Sequence, residues 1–338
     1  MEAVPFNKPH FTGREFLYVR EALNNGHVSG NGPFTQRCHE MLRERYGYKH
    51  CLLTSSCTDA LEMCALLLDL QAGDEIIVPS YTFVSTANAF VLHGAKIVFA
   101  DSCADHPNID PQSIAELVTP RTRAIVVMHY GGVACDMDAI LEIATKHGII
   151  VIEDAAQAID ATYKGKPLGS LGHMAAFSFH ETKNLSSGEG GLLVVNDARF
   201  RCRAEILWEK GTNRAAFRRG DVDKYCWVDT GSSFLPSDIT AAMLCAQLES
   251  VADVTRTRCE LWERYHEGLK DFAATRGLKL ASLPAYPFTA NGHLFYVMCR
   301  SMAERDAYID HLRKHGIYAV FHYLALHQSP YYRPMSLN

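Results

Sequence analysis

The segment from Ile149 to Gln157, IIVIEDAAQ, decides the fold class of this chain. It begins with β-branched apolar residues and then has two neighbouring carboxylates, Glu153 and Asp154. A run that is apolar at consecutive positions is typical of a strand buried on both faces, as in a parallel sheet covered by helices. Ligands of such sheets bind beyond the carboxyl ends of the strands, so the polar end of this segment is a candidate site.

Six more short apolar runs lie between Cys51 and Asn196 and repeat this pattern: CLLT, EIIVP, KIVFAD, RAIVVMH, AAFSFH and GLLVVN. Stretches with helical spacing, such as residues 57–70 and 136–147, separate some of them. Strands that alternate with helices predict a mainly parallel α/β sheet.

The pattern changes after Asn196 and predicts a smaller α+β domain. We place the domain boundary near Gln247, which gives a large α/β domain over residues 1–246 and a small C-terminal domain over residues 247–338. The elements predicted in this half are a long helical stretch over 237–272, a strand over 293–299, a helix over 302–316 and a strand over 317–321.

Composition excludes several classes of partner. The 338 residues include 33 Lys and Arg and 38 Asp and Glu, a formal net charge of -5, so no general basic field is present to hold nucleic acid or an anionic membrane. Apolar runs fall far short of the about 18 residues that span a bilayer. The 11 cysteines include no C-x-x-C pair, and the start MEAVPFNKPH does not resemble a secretory signal. We expect a cytoplasmic protein with reduced thiols, no membrane insertion and no metal site.

Two polar strand ends are ambiguous on their own. The turn from Thr54 to Thr58 precedes a predicted helix, where N–H groups and hydroxyls bind phosphate, but an ordinary Ser/Thr cap has the same sequence. The buried carboxylates Glu153 and Asp154 need a cationic or hydrogen-bonding partner. A protonated ring nitrogen, a capping role or a magnesium ion would each satisfy them.

A lysine and an aromatic residue complete the candidate set. Lys183 follows the run FSFH and precedes the glycine-rich segment Ser187–Gly191. A lysine at this edge becomes a nucleophilic amine if burial or a nearby positive charge lowers its pKa, although a solvated loop lysine would look the same. Phe83, in SYTFVSTAN, offers a ring at the same edge or belongs to the core.

Together, these motifs resemble one enzyme family. The stretches that carry the resemblance are SYTFVSTANAFVL, GAKIVF, EDAAQ, FSFHETKN, GEGG and the segment from EKGTNR to GSS. They are similar to those of the DegT/DnrJ/EryC1/StrS nucleotide-sugar aminotransferases, which are fold type I pyridoxal-phosphate enzymes. The resemblance extends from Pro5 to Tyr332. It implies pyridoxal 5'-phosphate as cofactor and Lys183 as the lysine that binds it covalently, whereas the related sugar dehydratases carry histidine there.

The resemblance also implies roles for the neighbouring residues. Asp154 would keep the cofactor's pyridine nitrogen protonated, so that the ring withdraws electrons. Phe83 would stack on the ring, and Gln157 would bond its phenolic oxygen. His180 matches a family histidine that either moves protons or orients the reacting group. The positions that match the family's phosphate-binding residues are Cys57, Thr58 and Ser178.

The implied reaction moves an amino group from L-glutamate to C4 of dTDP-4-keto-6-deoxyglucose. The product would be dTDP-4-amino-4,6-dideoxygalactose, used in surface polysaccharide of the enterobacterial common antigen type, and the enzyme would be a homodimer. Another nucleotide-sugar aminotransferase or a truncated, non-catalytic partner protein are the alternatives. The basic loop over residues 210–224 is either a diphosphate-binding loop or a solvated one. Candidate substrate-binding residues are Arg214, Arg218, Lys224, His322 and His327.

Two features depart from the family pattern. Leu235 stands where many relatives carry an asparagine that reaches the neighbouring subunit's cofactor phosphate, and a leucine cannot donate that bond. The sequence also stops at Asn338, before the final segment found in relatives. We therefore expect a small domain that has lost packing surface and stability.

Overall fold

The computed structural model describes residues 3–332, so the predicted end at Asn338 lies outside the described residues. The strands are β1 (Cys51–Thr54), β2 (Glu75–Pro79), β3 (Lys96–Ala100), β4 (Thr122–Met128), β5 (Ile150–Asp154), β6 (Thr162–Tyr163), β7 (Lys166–Pro167), β8 (Met174–Ser178), β9 (Gly191–Val195), β10 (Lys279–Leu280), β11 (Phe288–Thr289) and β12 (Val297–Met298). The α-helices are α1 (Arg14–Asn24), α2 (Pro33–Tyr46), α3 (Cys57–Leu67), α4 (Ser85–Val91), α5 (Pro111–Leu117), α6 (Met137–His147), α7 (Ala198–Trp208), α8 (Arg214–Arg219), α9 (Asp238–Glu249), α10 (Val251–Arg276) and α11 (Met302–Lys314). Two short 3-10 helices cover Tyr130–Gly132 and Leu326–Gln328.

A seven-stranded sheet forms the centre of the molecule, with the strand order β1-β9-β8-β5-β4-β2-β3. Its strands pair in parallel except β9, which is antiparallel to both β1 and β8. All seven apolar runs of the sequence are strands of this sheet, so the predicted mainly parallel α/β fold is confirmed.

The sheet is buried on both faces. Alternate side chains of a strand point to opposite faces. In β5, Val151 belongs to one buried apolar cluster, together with residues of α1, α2, α6 and α9. Ile152 belongs to the other cluster, with residues of α3, α4 and α7. This two-sided burial explains why the strands are apolar at consecutive positions.

The predicted helical stretch over 237–272 is two helices, which meet at Ser250. α9 is largely buried, and its residues belong to the core that covers the sheet, whereas in α10 only Val251, Val254 and Ala273 are buried. The domain boundary near Gln247 stays a prediction. It lies in the last turn of α9, close to the break at Ser250.

Two strands predicted after α10 are shorter than expected or do not form. Of residues 293–299, only Val297–Met298 is a strand, paired with β10. Residues 317–321 form no strand, because the segment finds one bridging partner, Val4, at Ile317 rather than a sheet edge. The helix predicted between them is confirmed as α11. Among residues 3–332, no helix combines the length and apolar character that crossing a membrane requires.

Candidate active site

The two neighbouring carboxylates of the β5 end have separate surroundings. Glu153 is fully buried and accepts hydrogen bonds from the N–H groups of Gly169, Leu171 and Gly172 at 2.6–2.8 Å. Its carboxylate also lies 3.0 Å from His129 Nε2. Adjacent residues of a strand point to opposite faces, so Glu153 stabilises this loop and does not join Asp154.

Asp154 is held at the carboxyl end of β5 by two donors. The Thr86 hydroxyl donates to Oδ2 at 2.7 Å, and the N–H of Ala156 donates to Oδ1 at 3.1 Å. Burial raises the pKa of Asp154, while these two hydrogen bonds and the positive charge of Lys183 act to lower it. A buried acid with a free lone-pair region and fixed orientation fits a protonated ring nitrogen.

Lys183 lies in the loop that follows β8, the strand that neighbours β5 in the sheet. Burial lowers the pKa of its amine, while the Cys57 thiol and the Asp154 carboxylate act in the opposite direction. None of the hydrogen bonds among residues 3–332 uses Lys183 Nζ. An amine of this kind, half-buried and with a lowered pKa, suits nucleophilic attack on an aldehyde.

Buried asparagines fix the loop that carries Lys183. The neighbouring Asn184 donates to the carbonyl oxygen of Asn291 at 3.0 Å and accepts from His293 Nδ1 at 2.8 Å. The side chain of Asn291 in turn donates to the carbonyl oxygens of Gln157 and Ile159. These bonds join the lysine loop to the end of the β5 region, which sets the position of Lys183 relative to Asp154.

The start of α3 offers donors for a phosphate group. Cys57 and Thr58 lie in its first turn, where the N–H groups have no earlier helical carbonyl to bond. The Ser56 hydroxyl caps the helix by accepting from the N–H of Asp59 at 3.0 Å. Thr58 Oγ1 lies 2.8 Å from Ser85 Oγ, at the start of α4. Ser56 therefore caps the helix, and phosphate binding by the N–H groups of Cys57 and Thr58 stays a prediction.

Gly191 explains the glycine-rich segment before β9. It pairs with Thr54 on one side and Ser178 on the other. A Cβ at this position would lie 2.3 Å from the carbonyl carbon and oxygen of Ser56 and 2.5 Å from the nitrogen of Cys57. Only glycine allows β9 to approach the start of α3 so closely.

Phe83 and Gln157 face the same space as Asp154. Phe83 is 53% exposed, which leaves its ring available to another ring. Gln157 is buried; its Oε1 accepts from the N–H of Gly131 at 2.6 Å, and its Nε2 donates to the hydroxyl of Tyr323 at 3.0 Å. The oriented amide therefore donates to a phenol oxygen, the bond that the family resemblance implies for the cofactor.

The predicted histidines occupy different positions around the cleft. His180 Nδ1 accepts from the N–H of Thr182 at 3.2 Å, and its Nε2 lies 3.6 Å from Glu189 Oε1. His322 Nδ1 lies 2.8 Å from the Tyr130 hydroxyl, and burial together with the charge of Lys183 lowers the pKa of His322 to about 4. His322 is therefore neutral at neutral pH.

His327 lies farther out and is exposed. Its Nδ1 is 2.5 Å from Ser80 Oγ, at the end of β2. Ser178, the third predicted phosphate residue, ends β8, and its Oγ accepts from the N–H of His180 at 3.3 Å.

The basic loop is not brought to Lys183 within the described chain. Arg214 and Arg218 lie 3.5 and 3.9 Å from the buried carboxylate of Glu209, and Arg214 also lies over the Tyr225 ring. Lys224 contributes its carbonyl oxygen to the Asn213 side chain. Leu235 lies near the start of α3, since the Ser55 hydroxyl donates to its carbonyl oxygen at 3.4 Å.

Sequence reasoning missed several residues of the cleft. Thr86 lies inside the quoted motif SYTFVSTANAFVL, three residues after Phe83. The motif could therefore have indicated Thr86 as a site residue. Tyr323 lies next to His322 in FHYLALHQSPYY, a segment similar to one that lines the family's substrate pocket, whereas Tyr130 and Asn291 carry no motif and only the fold places them here. Among residues 3–332, no group of three or more His, Cys, Asp or Glu side chains is arranged to hold a metal ion.

The donor set fits pyridoxal phosphate, with a buried acid, an amine of lowered pKa, an accessible ring and helix N–H groups in one cleft.

Solved aminotransferase structures are similar to this chain over nearly its whole length. TlmJ, an aminotransferase from Streptoalloteichus hindustanus, is 32% identical with a TM-score of 0.88, over 97% of this chain and 87% of TlmJ. DesV of S. venezuelae, solved in complex with a ketimine intermediate, is 31% identical with a TM-score of 0.88, over 99% of this chain and 87% of DesV.

Spr1654 of Streptococcus pneumoniae, assigned as a sugar aminotransferase, gives a TM-score of 0.89 in its PLP-form. It is 25% identical, over 98% of this chain and 88% of Spr1654, and it was also solved in a PMP-form. The prediction that the cofactor is pyridoxal phosphate is confirmed. A model of the DegT/DnrJ/EryC1/StrS aminotransferase family matches residues 9–337. Because this match covers nearly the whole sequence, the chain belongs to the DegT/DnrJ/EryC1/StrS aminotransferase family.

Proposed function

We propose that the chain is a nucleotide-sugar aminotransferase in which Lys183 binds pyridoxal phosphate. The amino group moves from L-glutamate to C4 of dTDP-4-keto-6-deoxyglucose, which makes the protein a dTDP-4-amino-4,6-dideoxygalactose transaminase of surface polysaccharide synthesis. The observation that carries the activity is that Asp154 ends β5 and the half-buried Lys183 follows the neighbouring strand β8, where each of the two charges affects the pKa of the other. The assignment of a sugar as amino acceptor is supported by the likeness to Spr1654, and that of the dTDP sugar by the sequence motifs.

Lys183 carries the proton transfers in this proposal. Burial lowers the pKa of its amine, so the amine loses its proton more readily than an ordinary lysine and, once unprotonated, can accept a proton from Cα of glutamate. The same Nζ then returns a proton to the carbon that bears the new amino group. Pyridoxal phosphate, when bound, supplies the aldehyde that takes up the amino group and the ring that withdraws electrons.

Asp154 and the start of α3 hold the reacting groups in place. The carboxylate of Asp154, fixed by Thr86 and Ala156, keeps a negative charge opposite the ring nitrogen. The first-turn N–H groups of Cys57 and Thr58, with the nearby Ser178 hydroxyl, would hold the phosphate. This arrangement would hold the cofactor at both ends, so that Lys183 Nζ keeps one position for the proton transfers of both half-reactions.

The proposed acceptor sugar brings a diphosphate with negative charge. We assign its binding to Arg214, Arg218 and Lys224 from a second copy of the chain, in a homodimer with sites at the interface. In the described chain these side chains lie at the surface and apart from its own Lys183, as a loop that serves a neighbouring site would. His322, beside Tyr130, and His327, beside Ser80, would contact the sugar.

The experiment is product analysis with a panel of keto sugars. Purified protein with pyridoxal phosphate and L-glutamate is incubated separately with dTDP-4-keto-6-deoxyglucose, a UDP-linked 4-keto sugar and a dTDP-linked 3-keto sugar, and products are identified by mass spectrometry and NMR. The dTDP-4-amino-4,6-dideoxygalactose product is expected, and Lys183→Ala should abolish it. Amination of another sugar alone would refute the substrate, and no amino product from any sugar would refute the activity.

A further inference from the structure

Residues 319–325 form a strap over the cleft that lies between two backbone anchors and has no helix or strand. At one end, the N–H of Tyr318 donates to the carbonyl oxygen of Val4 at 2.9 Å. At the other end, the N–H of Leu326 donates to the carbonyl oxygen of Ser80 at 2.8 Å. The strap therefore has fixed ends, and the segment between them can change conformation without moving α11.

Tyr323, in the middle of the strap, inserts its ring among the residues proposed to hold the cofactor. Its hydroxyl accepts from Gln157 Nε2 at 3.0 Å. Its ring centroid lies 6.1 Å from that of Phe83. Burial, and then the negative charge of Asp154, raises the pKa of the Tyr323 phenol.

We propose that Tyr323 occupies the place of the cofactor's ring and that pyridoxal phosphate binds only after the strap has moved away. A tyrosine side chain and pyridoxal phosphate share a six-membered aromatic ring with a phenolic oxygen. Each of these two oxygens would accept from Gln157 Nε2 and each ring would lie beside Phe83, so the two groups compete for the same contacts. This inference rests on the proposed cofactor site and adds a competing group from the chain itself.

The backbone of the strap is strained in this position. Tyr323 has a φ of +54°, in the left-handed region that residues with bulky side chains rarely adopt. Such a conformation persists only where surrounding contacts stabilise it. When a cofactor takes over the contacts with Gln157 and Phe83, the strain favours release of the strap, and the two conformations form a two-state switch.

Release of the strap would also change the substrate side of the cleft. The carbonyl oxygen of His322 accepts a hydrogen bond from the Tyr81 hydroxyl. The ring nitrogen Nδ1 of His322 lies 2.8 Å from the Tyr130 hydroxyl. Moving Tyr323 out therefore moves His322 and frees two phenol hydroxyls. The sugar pocket would then form only in the cofactor-loaded protein, so cofactor binding precedes substrate binding.

The test is equilibrium binding of 4'-deoxypyridoxine 5'-phosphate, which has the ring and phosphate but cannot react with an amine. Protein freed of cofactor is titrated as wild type, Tyr323→Ala, Tyr323→Phe and Leu324→Ala. Tyr323→Ala should bind the analogue about tenfold tighter, because no tyrosine ring then competes for the cofactor site and the fraction of chains able to bind rises. Tyr323→Phe loses the bond with Gln157 and should gain about fivefold. Leu324 is 61% exposed on the same strap, and Leu324→Ala should stay within about twofold of wild type.

A second measurement uses the unaltered chain. Hydrogen exchange of the amides of residues 319–325 should become faster when pyridoxal phosphate is added, because the strap leaves the cleft. Unchanged analogue affinity in both Tyr323 variants, or slower strap exchange on cofactor addition, would overturn the inference. Failure of wild type and all variants to bind the analogue would instead refute the proposed cofactor site, so the two claims fail separately.

Discussion

Replacing Gly191 by alanine tests whether close contact between β9 and the start of α3 builds the phosphate end of the site. The new Cβ would lie 2.3 Å from the carbonyl carbon and oxygen of Ser56, whereas ordinary contact begins at 3.4 Å. These are backbone atoms, which cannot rotate away. The strand and the helix must therefore separate by about 1 Å.

The expected effects are on stability and on cofactor binding. Overpacking a core costs about 1–3 kcal/mol of the free energy of unfolding, and we expect about 3 kcal/mol because neither partner is a flexible side chain. Gly191 also pairs with Thr54 and Ser178, so the same shift displaces the proposed phosphate donors. The affinity for pyridoxal phosphate should fall by about tenfold or more, the equivalent of one or two lost hydrogen bonds.

The assay is urea unfolding together with titration of pyridoxal phosphate, followed by absorbance. Gly268→Ala is the matched control, since a Cβ at Gly268 in α10 meets nothing within 4 Å. Alanine in a helix interior is about 1 kcal/mol more favourable than glycine, so this variant should be more stable and bind the cofactor normally. A Gly191→Ala variant with wild-type stability and cofactor affinity would refute the reasoning.

The other predictions concern the acid, a buried histidine and the dimer. Asp154→Asn should lower turnover about 100-fold and affect stability far less, since the amide oxygen still accepts from Thr86, although the amide nitrogen cannot accept from Ala156 or balance a protonated ring nitrogen. Burial lowers the pKa of His39 to about 3, and its Nε2 accepts from the N–H of Leu53 at 2.9 Å. As pH falls below about 6.5 the unfolded chain binds this proton first, so the free energy of unfolding should drop by about 1.4 kcal/mol per pH unit until about pH 3, and His39→Gln should remove this slope. Mixed Arg218→Ala and Lys183→Ala chains should recover about a quarter of wild-type turnover if the basic loop serves the partner's site.

Each of these predictions has a contradicting result. Near-native turnover of Asp154→Asn in a steady-state assay would remove the acid from the proposed site. Urea titrations at pH 6.5 and 4.5 give the free energy of unfolding at each pH. If this free energy falls equally between the two pH values in wild type and in His39→Gln, a neutral His39 is contradicted. Absence of recovered activity in mixed chains that have demonstrably exchanged subunits would contradict a loop acting across the dimer.

The sheet could be predicted from the sequence because each central strand is buried on both faces. Consecutive apolar residues, as in Val151 and Ile152, leave little alternative to a covered parallel sheet. The strand end then located Asp154, and the motif after β8 located Lys183. Short segments of the C-terminal half were not predictable in this way, because residues 317–321 are apolar but, within residues 3–332, find a single bridging partner in Val4.

Parts of the candidate site depend on contacts that no local pattern encodes. Asn291, more than 100 residues from Asn184, fixes the lysine loop through its buried carbonyl. Glu153 and Asp154 look equivalent in the sequence, yet strand alternation assigns them to different surroundings. Tyr323 reaches Gln157 only because the strap crosses the cleft. Such contacts follow from the path of the chain, so they require the structure.

The most direct test of the central claim is to locate the cofactor on the chain. Purified protein is incubated with pyridoxal phosphate, reduced with borohydride and digested, and the labelled peptide is sequenced by mass spectrometry. The half-buried amine of Lys183, with its lowered pKa, predicts a single pyridoxyl label on that residue. A label on Lys164, Lys166 or Lys210 in place of Lys183 would contradict the account.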